Sequence, residues 1–291
     1  MQQFRGTGVA LITPFNDDLS IDFEGFTSLI NHCITNGINY LVVMGTTAEN
    51  ATLTKGEKEA VIKHVRTVTA SRVPLVLGIG GNNTQEIIDT IASTDMTGYD
   101  AILSVSPYYN RPTQEGIYEH YKAIAQSTSH DIIMYNVPSR TGSNMLPETT
   151  LRLASDFKNI IGIKEAAGDM VQALRILKDR PAGFLVVSGD DMLALPIVSA
   201  GGDGVISVVG QGLPAQFSTM IADGLNNAFA KAYTTQYQLM PIIDYAFEEG
   251  NPAGIKSLLS RLKICGPAVR LPLMKASDAL THKIAQFLEH L

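Results

Sequence analysis

The chain has little cysteine and no excess of positive charge. Cys33 and Cys265 are its only cysteines, and they form neither a CxxC pair nor a disulfide framework. This usage is typical of a protein kept in a reducing compartment, so we expect a cytoplasmic location. The formal net charge of −6 argues against nucleic acid or an anionic membrane as a partner, because both require a basic face. A small anionic substrate is not excluded, since one or two local cations are enough to bind it.

Patterns for metal ions and membranes are also missing. The six histidines show no HxH, HExxH or HxxxH spacing, so the sequence predicts no transition-metal site. No apolar run approaches the roughly 20 residues that span a bilayer. The first residues, MQQFRGTG, lack the pattern of a signal peptide. We therefore expect a soluble intracellular protein.

Short, nearly all-apolar runs recur along the chain, and each is followed by turn residues and a helical pattern. Their first residues lie 20 to 34 positions apart, which is the length of a βα unit. Runs that are apolar on both faces suit parallel strands buried beneath helices. The eight runs are GVALITPF (8–15), YLVVMG (40–45), PLVLGIG (74–80), AILSVSP (101–107), IIMYNVP (132–138), IIGIKEA (160–166), FLVVSGD (184–190) and GVISVVG (204–210).

Eight such units predict an α/β fold, a (β/α)8 TIM barrel. The alternative is a doubly wound open sheet, which usually has a glycine-rich turn after its first strand. Here the first strand ends in TPFNDD, and GIGGNN (78–83) does not satisfy GxGxxG, so the barrel is favoured.

Strand-like runs stop after residue 210. We expect residues 1–212 to form the barrel that carries the active site and residues 213–291 to form a C-terminal helical extension. Proline and glycine predict breaks in this extension near Pro241, Gly250–Pro252 and Pro267–Pro272.

Lys164 lies near the end of the run IIGIKEA (160–166). In a TIM barrel, active sites lie at the carboxyl ends of the strands, where this lysine is expected. Strand alternation places Gly162 and Lys164 on the inner face, with space for a small ligand above Gly162. Ile161, Ile163 and Glu165 then face the outer helices. Lys164 is either a rim charge tethered to a carboxylate or a reactive amine. Burial favours the neutral amine, which can form a Schiff base with a ketone.

Other polar residues follow neighbouring strands, and each has two interpretations. Tyr135 could shuttle protons beside the amine or cap the barrel core. Thr46 and Thr47 could bind a carboxylate and relay a proton, or satisfy backbone donors where a helix begins. Arg140 could grip a carboxylate with its planar fork or lie solvated in a loop.

Two further pairs stand after strands. Asp190 and Asp191 could hold Mg²⁺, but no third ligand is suitably spaced, so helix N-capping is favoured. Tyr108 and Tyr109 form a double aromatic in a loop, which is typical of an interface, and we expect this loop to meet another subunit.

Taken together, the motifs resemble the 4-hydroxy-tetrahydrodipicolinate synthase (dihydrodipicolinate synthase) family. The resemblance runs from GTGVALITPF near the N-terminus to RLPL (270–273). Arg140 favours this branch over related Schiff-base pyruvate lyases that act on sugar acids, such as N-acetylneuraminate lyase, which are the alternative. The motifs are GTTAENATL (45–53), SVSPYYNRPTQEG (104–116), YNVPSRTG (135–142), GIKEAAGD (162–169), SGDD (188–191) and GVISV (204–208).

This resemblance implies that Lys164 condenses with pyruvate and that the resulting enamine attacks L-aspartate 4-semialdehyde, on the diaminopimelate route to lysine. Tyr135 would be the acid–base residue. Thr47 and Tyr109, the latter from a neighbouring subunit, would complete a proton relay. No metal or organic cofactor is implied, because the lysine serves as the electron sink.

The resemblance also implies how the substrates are held. Thr46 and Thr47 would bind the pyruvate carboxylate, and Arg140 the carboxylate of the semialdehyde. The backbone at Gly189 and Ile206 would contact the second substrate and the lysine amine.

Members of the family are usually homotetramers, built as dimers of dimers, and many are inhibited by lysine bound between subunits. This sequence departs from the enterobacterial pattern at Lys55 and Lys58, where that pattern has histidines. Two extra positive charges would weaken a cationic ligand, so the strength of inhibition stays open. The matching positions are Asn50 (a serine in that pattern), Ala51, Asn82, Glu86 and Tyr108.

Overall fold

In the computed structural model, which describes residues 2–291, eight parallel strands close into a barrel. Each strand pairs with the next along the chain, and the last pairs with the first from Gly6 opposite Gly204 to Val9 opposite Ser207. The predicted TIM barrel is confirmed. The strands are β1 (Gly6–Ala10), β2 (Tyr40–Val43), β3 (Leu75–Gly78), β4 (Ala101–Val105), β5 (Asp131–Asn136), β6 (Ile160–Glu165), β7 (Leu185–Ser188) and β8 (Gly204–Ser207).

Helices follow the strands and cover the outside of the barrel. Among residues 2–291, none of them combines the length and apolar character that crossing a bilayer requires. The helices are α1 (Phe23–Thr35), α2 (Lys55–Thr69), α3 (Thr84–Ser93), α4 (Gln114–Ser127), α5 (Pro138–Thr141), α6 (Pro147–Asp156), α7 (Met170–Asp179), α8 (Ala194–Ser199), α9 (Pro214–Leu225), α10 (Phe229–Glu248), α11 (Ala253–Arg261) and α12 (Asp278–Glu289).

Local sequence signals set where these helices begin. The Asp22 side chain caps α1 by accepting from the Gly25 N–H. At α2 a capping box forms: Thr54 accepts from the Glu57 N–H, and the Glu57 carboxylate accepts from the Thr54 N–H.

The barrel interior is filled at its amino-terminal end by an aromatic pair, Phe4 and Tyr40. Their rings meet edge to face with centroids 5.5 Å apart, and both side chains are buried. The Tyr40 hydroxyl donates to the Val205 carbonyl, so the pair is satisfied as well as packed. We call Phe4 and Tyr40 the aromatic plug.

Strand β6 departs from simple alternation. Its pairing with β5 shifts register between Ile132 and Ile133, which is the mark of a β-bulge. Because of the bulge, Ile161 packs inside the barrel, and its predicted outward direction is wrong. Ile163 does face the outer helices, as expected.

The space expected above Gly162 is also absent. A Cβ atom at Gly162 would lie 2.7 Å from the Leu185 Cβ and 2.8 Å from the Leu185 carbonyl oxygen. Glycine is therefore required here because the β7 backbone approaches closely, and the predicted ligand space beneath Lys164 is wrong.

The extension is helical, as predicted, but one predicted break is wrong. Helix α10 continues through Pro241. The proline lies on the exposed side of a helix that packs against its neighbours α9 and α11, so tertiary contacts outweigh one lost backbone bond. The chain does leave helical structure at Gly250–Pro252 and across Pro267–Pro272. The division between residues 212 and 213 stays a prediction, with α9 packing against β1 and β8.

Candidate active site

A cavity of about 940 Å³ opens at the carboxyl ends of the strands. It extends from the top of the barrel to the C-terminal end of α10. Within residues 2–291, no group of three or more histidine, cysteine or acidic side chains is placed to hold a metal ion. The residues predicted for catalysis and substrate binding that line the cavity are Thr46, Thr47, Tyr135, Arg140, Lys164 and Gly189.

Lys164 reaches the cavity from β6 and is only 5% exposed. Its Nζ lies 4.4 Å from the centroid of the Tyr135 ring, and the two residues are register partners on adjacent strands. The only other buried lysine of residues 2–291, Lys256, forms an ion pair with Glu49. No carboxylate of these residues pairs with Lys164. Within residues 2–291, Lys164 is therefore not a charge at the barrel rim that a carboxylate holds in place. Its amine faces the cavity instead.

The neighbouring Glu165 points away from Lys164. Its buried carboxylate accepts from Gln172 Nε2 at 2.9 Å, from the Ala167 N–H at 2.7 Å and from Asn136 Nδ2 at 3.1 Å. Burial raises the pKa of Glu165, although these three donors oppose the shift. Glu165 therefore fixes the ends of β5 and β6 from outside the barrel and does not act as a partner of the amine.

Thr46 and Thr47 form a short helical turn after β2, between two non-glycine residues with positive φ, Met44 at 61° and Glu49 at 53°. This conformation is uncommon for such residues and persists only where the surroundings hold it. One restraint comes from Thr13, whose hydroxyl donates to the Ala48 carbonyl at 2.7 Å.

The other restraints on this turn come from the extension, and the sequence did not predict them. Asn251 Nδ2 donates to Thr47 Oγ1 at 2.9 Å. Glu49 forms the fully buried ion pair with Lys256 and also accepts from the Arg270 N–H at 2.8 Å. Burial lowers the pKa of Lys256, and the Glu49 carboxylate opposes that shift. Sequence separations above 200 residues explain why no local pattern revealed these contacts.

Arg140 and Gly189 line the cavity from the segments that follow β5 and β7. Arg140 lies on α5, with an exposed side chain at the cavity wall. A Cβ atom at Gly189 would lie 2.8 Å from Lys164 Cε. Any residue larger than glycine would therefore displace the lysine side chain. Ile206 is 1% exposed and packs in the barrel interior, outside the set of cavity-lining residues.

Comparison with known proteins gives a match over residues 3–291 to the Dihydrodipicolinate synthetase family. The chain belongs to this family. The 4-hydroxy-tetrahydrodipicolinate synthase of Flavobacterium psychrophilum is 52% identical over 291 residues, covering 100% of this chain and 99% of that protein. The corresponding protein of Cytophaga hutchinsonii is 51% identical, covering 98% and 96%.

Solved structures of dihydrodipicolinate synthases superpose closely on this family member. The Thermotoga maritima structure gives a TM-score of 0.96 at 36% identity and covers 99% of this chain and 98% of that one. A structure from Cyanidioschyzon merolae with lysine bound gives 0.94 at 34% identity, covering 99% and 98%. The family resemblance identified from the motifs is confirmed.

In this member of the dihydrodipicolinate synthetase family, the two aspartates after β7 bind backbone donors, but not as predicted. Asp190 Oδ1 accepts from the Met192 N–H at 2.8 Å, in a turn before α8. Leu193 occupies the N-cap of α8 without a side-chain cap, so the predicted N-capping is wrong. Asp191 is buried and accepts from the Val208 N–H at 3.0 Å, and burial raises its pKa to about 6.

The double aromatic follows β4. Tyr109 is 89% exposed and has a positive φ of 69°, whereas Tyr108 is 42% exposed and lines the cavity. Neighbouring aromatic side chains that are exposed together are typical of an interface.

Of the five residues predicted for lysine binding, three line the cavity. Asn50 and Ala51 line the same cavity as Tyr108, while Asn82 and Glu86 lie outside it. Asn82 is connected to the tyrosine loop, because its carbonyl accepts from Asn110 Nδ2 at 2.9 Å.

Proposed function

We propose that this chain condenses pyruvate with L-aspartate 4-semialdehyde, through an imine on Lys164, to give 4-hydroxy-tetrahydrodipicolinate. Membership of the family supports the reaction. The observation that carries the mechanism is Lys164 itself: a buried amine that faces a cavity and is not matched by a carboxylate. Such an amine can be reached by a ketone in the cavity and can attack it to form a Schiff base.

The proposed sequence balances without a cofactor. The Lys164 amine adds to the ketone carbon of pyruvate, and the carbinolamine loses one water to give the imine. Loss of a methyl proton gives an enamine, whose carbon attacks the aldehyde of the second substrate while the aldehyde oxygen takes a proton. The amino group of that substrate then attacks the imine carbon, closes the ring and releases the lysine.

Proton transfer in this sequence is proposed for Tyr135, Thr47 and Tyr109. Tyr135 is supported by its contact with the Lys164 amine, and Thr47 by its place in the cavity wall. Thr46 would hold the pyruvate carboxylate with Thr47. Residue types of this kind commonly speed proton transfer by 10²–10⁴-fold, by general acid–base catalysis.

The second substrate is proposed to lie nearer the mouth. Arg140 offers a fork of N–H donors at the cavity wall, which suits a carboxylate. The backbone at Gly189 would contact the same substrate, and the backbone at Ile206 the lysine amine.

Borohydride trapping tests the imine. Reduction in the presence of pyruvate should leave a stable adduct that peptide mass mapping places on Lys164, and Lys164→Ala should abolish it. Lys256 provides an internal control, because it is also buried but is paired with Glu49. An adduct on Lys256, or none at all, contradicts the mechanism. A panel of aldehydes added after pyruvate then distinguishes the semialdehyde from sugar aldehydes as second substrate.

We further propose a homotetramer, a dimer of dimers, in which Tyr109 enters the site of a neighbouring subunit. The 89% exposure of Tyr109 supports this arrangement. Sedimentation velocity over a dilution series measures it: a monomer that retains full specific activity would contradict the shared site.

Feedback inhibition by lysine is proposed for the region around Tyr108 and Glu86. The Cyanidioschyzon merolae neighbour has lysine bound. Lys55 and Lys58 lie in the first turn of α2 and would oppose a cationic ligand, so an inhibition curve with lysine has to establish the strength of inhibition. Unchanged activity at millimolar lysine would eliminate the site.

A further inference from the structure

Four polar side chains form one hydrogen-bonded group on the outer side of β5 and β6, and we call them the polar cluster. Asn136 ends β5, Glu165 ends β6, Asn144 lies between α5 and α6, and Gln172 lies in the first turn of α7. Asn144 is half-buried and the other three are buried. Asn144 Nδ2 donates to Gln172 Oε1 at 2.7 Å, and Gln172 Nε2 donates to Glu165 Oε2 at 2.9 Å. The carboxylate next to Lys164 in sequence is thus connected to α7 and to the segment after α5.

The polar cluster closes the base of the loop that carries Arg140. The chain leaves β5 at Asn136, passes through α5 and returns at Asn144 and Met145. Asn136 joins the two ends, because its Oδ1 accepts from the Met145 N–H at 3.0 Å and its Nδ2 donates to Asn144 Oδ1 at 2.8 Å. Residues 137–143 therefore form a loop whose base is made by side-chain hydrogen bonds.

Backbone hydrogen bonds hold the neighbouring strand ends without the cluster. Tyr135 and Lys164 are register partners in the ladder between β5 and β6, and the Ala166 N–H donates to the Asn136 carbonyl at 2.9 Å. Beyond the loop, Gln114 of α4 donates to the Asn144 carbonyl at 2.7 Å. The particular contribution of the polar cluster is therefore the placement of the loop base relative to β6.

The backbone fixes the direction of each hydrogen bond in the cluster. A backbone N–H can only donate, so the Met145 N–H requires Oδ1 of Asn136 and leaves Nδ2 to face Glu165 and Asn144. Asn144 accepts that hydrogen bond with Oδ1, and its own Nδ2 then faces Gln172 Oε1. Gln172 is left with Nε2 towards the carboxylate.

Position 165 consequently requires a group that only accepts. Glu165 Oε1 faces the Ala167 N–H at 2.7 Å, and Oε2 faces Gln172 Nε2 at 2.9 Å. A carboxylate accepts at both oxygens, whereas an amide would place its NH₂ group against one of these donors. Reversing the neighbouring amides in turn only transfers the conflict along the cluster to the Met145 N–H, which cannot reverse.

We propose that Glu165 is a positioning residue: through the polar cluster it holds the Arg140 loop where Arg140 binds the carboxylate of the second substrate. The inference rests on the proposed function and concerns its second half-reaction. It gives the buried carboxylate beside Lys164 a role in binding the semialdehyde, while the amine is left to act on pyruvate.

Glu165→Gln keeps the shape of the side chain and sets one donor against another. We expect kcat/KM for the semialdehyde to fall about 10-fold or more, because a buried polar group left without a partner shifts the loop base. The kcat/KM for pyruvate, and the rate at which the Lys164 adduct is trapped, should stay within about threefold. Glu289→Gln makes the same change at an exposed position of α12 and should alter neither quantity.

An exchange variant tests the donor pattern. Adding Gln172→Glu to Glu165→Gln swaps the carboxylate and the amide, and a donor again faces an acceptor between the two side chains. The kcat/KM for the semialdehyde should return to within about threefold of the unaltered protein. No recovery in this variant would contradict the assigned pattern.

A double-mutant cycle tests whether Glu165 acts through Arg140. In an Arg140→Ala background, Glu165→Gln should lower kcat/KM for the semialdehyde by no more than about twofold. An equal fall with and without Arg140, or an equal fall in kcat/KM for both substrates, overturns the positioning role.

Asn144→Ala tests the same proposal without altering the buried carboxylate, which keeps its donors Asn136, Gln172 and the Ala167 N–H. It should lower kcat/KM for the semialdehyde and spare that for pyruvate, and thermal unfolding establishes that each variant is folded. If Glu165→Gln does not fold, this variant decides, and an unchanged kcat/KM for the semialdehyde refutes the proposal. Failure of the proposed function is a separate result, because it appears as the absence of a trapped Lys164 adduct in the unaltered protein.

Discussion

At the scale of single residues, two buried lysines with different surroundings are the most informative comparison. Lys256 is paired with Glu49 and has a structural role, whereas Lys164 faces the cavity and contacts the ring of Tyr135. The cost of burying an amine is offset in one case by a carboxylate. In the other, no carboxylate of residues 2–291 pairs with the amine, which lines the cavity where a ketone can reach it.

Gly189→Ala should impair the lysine without unfolding the protein. The added methyl would lie 2.8 Å from Lys164 Cε and 2.7 Å from the Ala166 Cβ, so the flexible lysine must shift. A displacement of about 1 Å at a reacting group can cost about 100-fold in rate, and we expect a fall in kcat of that order.

Steady-state kinetics and thermal unfolding check this prediction against Gly56→Ala. Gly56 lies in α2, where an added Cβ meets no atom within 4 Å. The control should keep its kcat and gain up to about 1 kcal/mol of stability. A Gly189→Ala enzyme with unaltered kcat would show that the lysine tolerates the contact.

Much of the site could be predicted from the sequence, because it depends on strand alternation. The inward direction of Lys164 and the outward direction of Glu165 follow from that period. The same rule was wrong for Ile161, because a bulge adds one residue to β6. The contact of Asn251 with Thr47 was missed for a different reason: it joins residues 204 positions apart, and no local pattern encodes such a contact.

At the scale of elements, the turn Thr46–Ala48 is held by the extension as well as by the barrel. Its sequence predicted a possible binding turn, but not the buried ion pair that fixes its far end at Glu49. The extension is therefore a second support for the site, and damage to it should affect both stability and activity.

Lys256→Met tests this support. The substitution leaves Glu49 buried without its cation, and breaking a buried pair in this way costs about 3–5 kcal/mol. Urea denaturation should show a large fall in the unfolding midpoint. Lys283→Met, which removes a pair with Glu248 whose side chains are 44% and 40% exposed, should cost less than about 1 kcal/mol. Similar midpoints for the two variants would refute the supporting role of the pair.

At the scale of the whole molecule, stability should respond to pH through Asp191. Its pKa is about 6 in the folded chain against an ordinary value of 3.8. The folded state therefore binds a proton between these values while the unfolded state does not. Protonation favours folding, so this group adds roughly 1 kcal/mol to the free energy of unfolding as pH falls from 7 to 5.

Asp191→Asn removes that contribution. The variant should be less stable at pH 7, since a neutral amide oxygen accepts more weakly than a carboxylate from the Val208 and Val209 N–H groups, and the amide NH₂ group would replace the Oδ1 that also accepts from the Val208 N–H. Its deficit should widen by roughly 1 kcal/mol at pH 5 in paired denaturation curves. Asp95→Asn is the control: Arg66 lowers the pKa of that exposed carboxyl, so its effect should be constant over this range. A constant deficit for Asp191→Asn would contradict the prediction.

The aromatic plug has a consequence for the order of events in catalysis. Phe4 and Tyr40 close the amino-terminal end of the barrel. Substrates and product therefore reach and leave Lys164 through the opposite end, beside Arg140. Pyruvate, which reacts at Lys164, must therefore bind before the second substrate. The condensed product must leave through the same opening before another pyruvate can bind. A fixed order of substrate binding and product release thus follows from two aromatic rings at the opposite end of the barrel from Lys164.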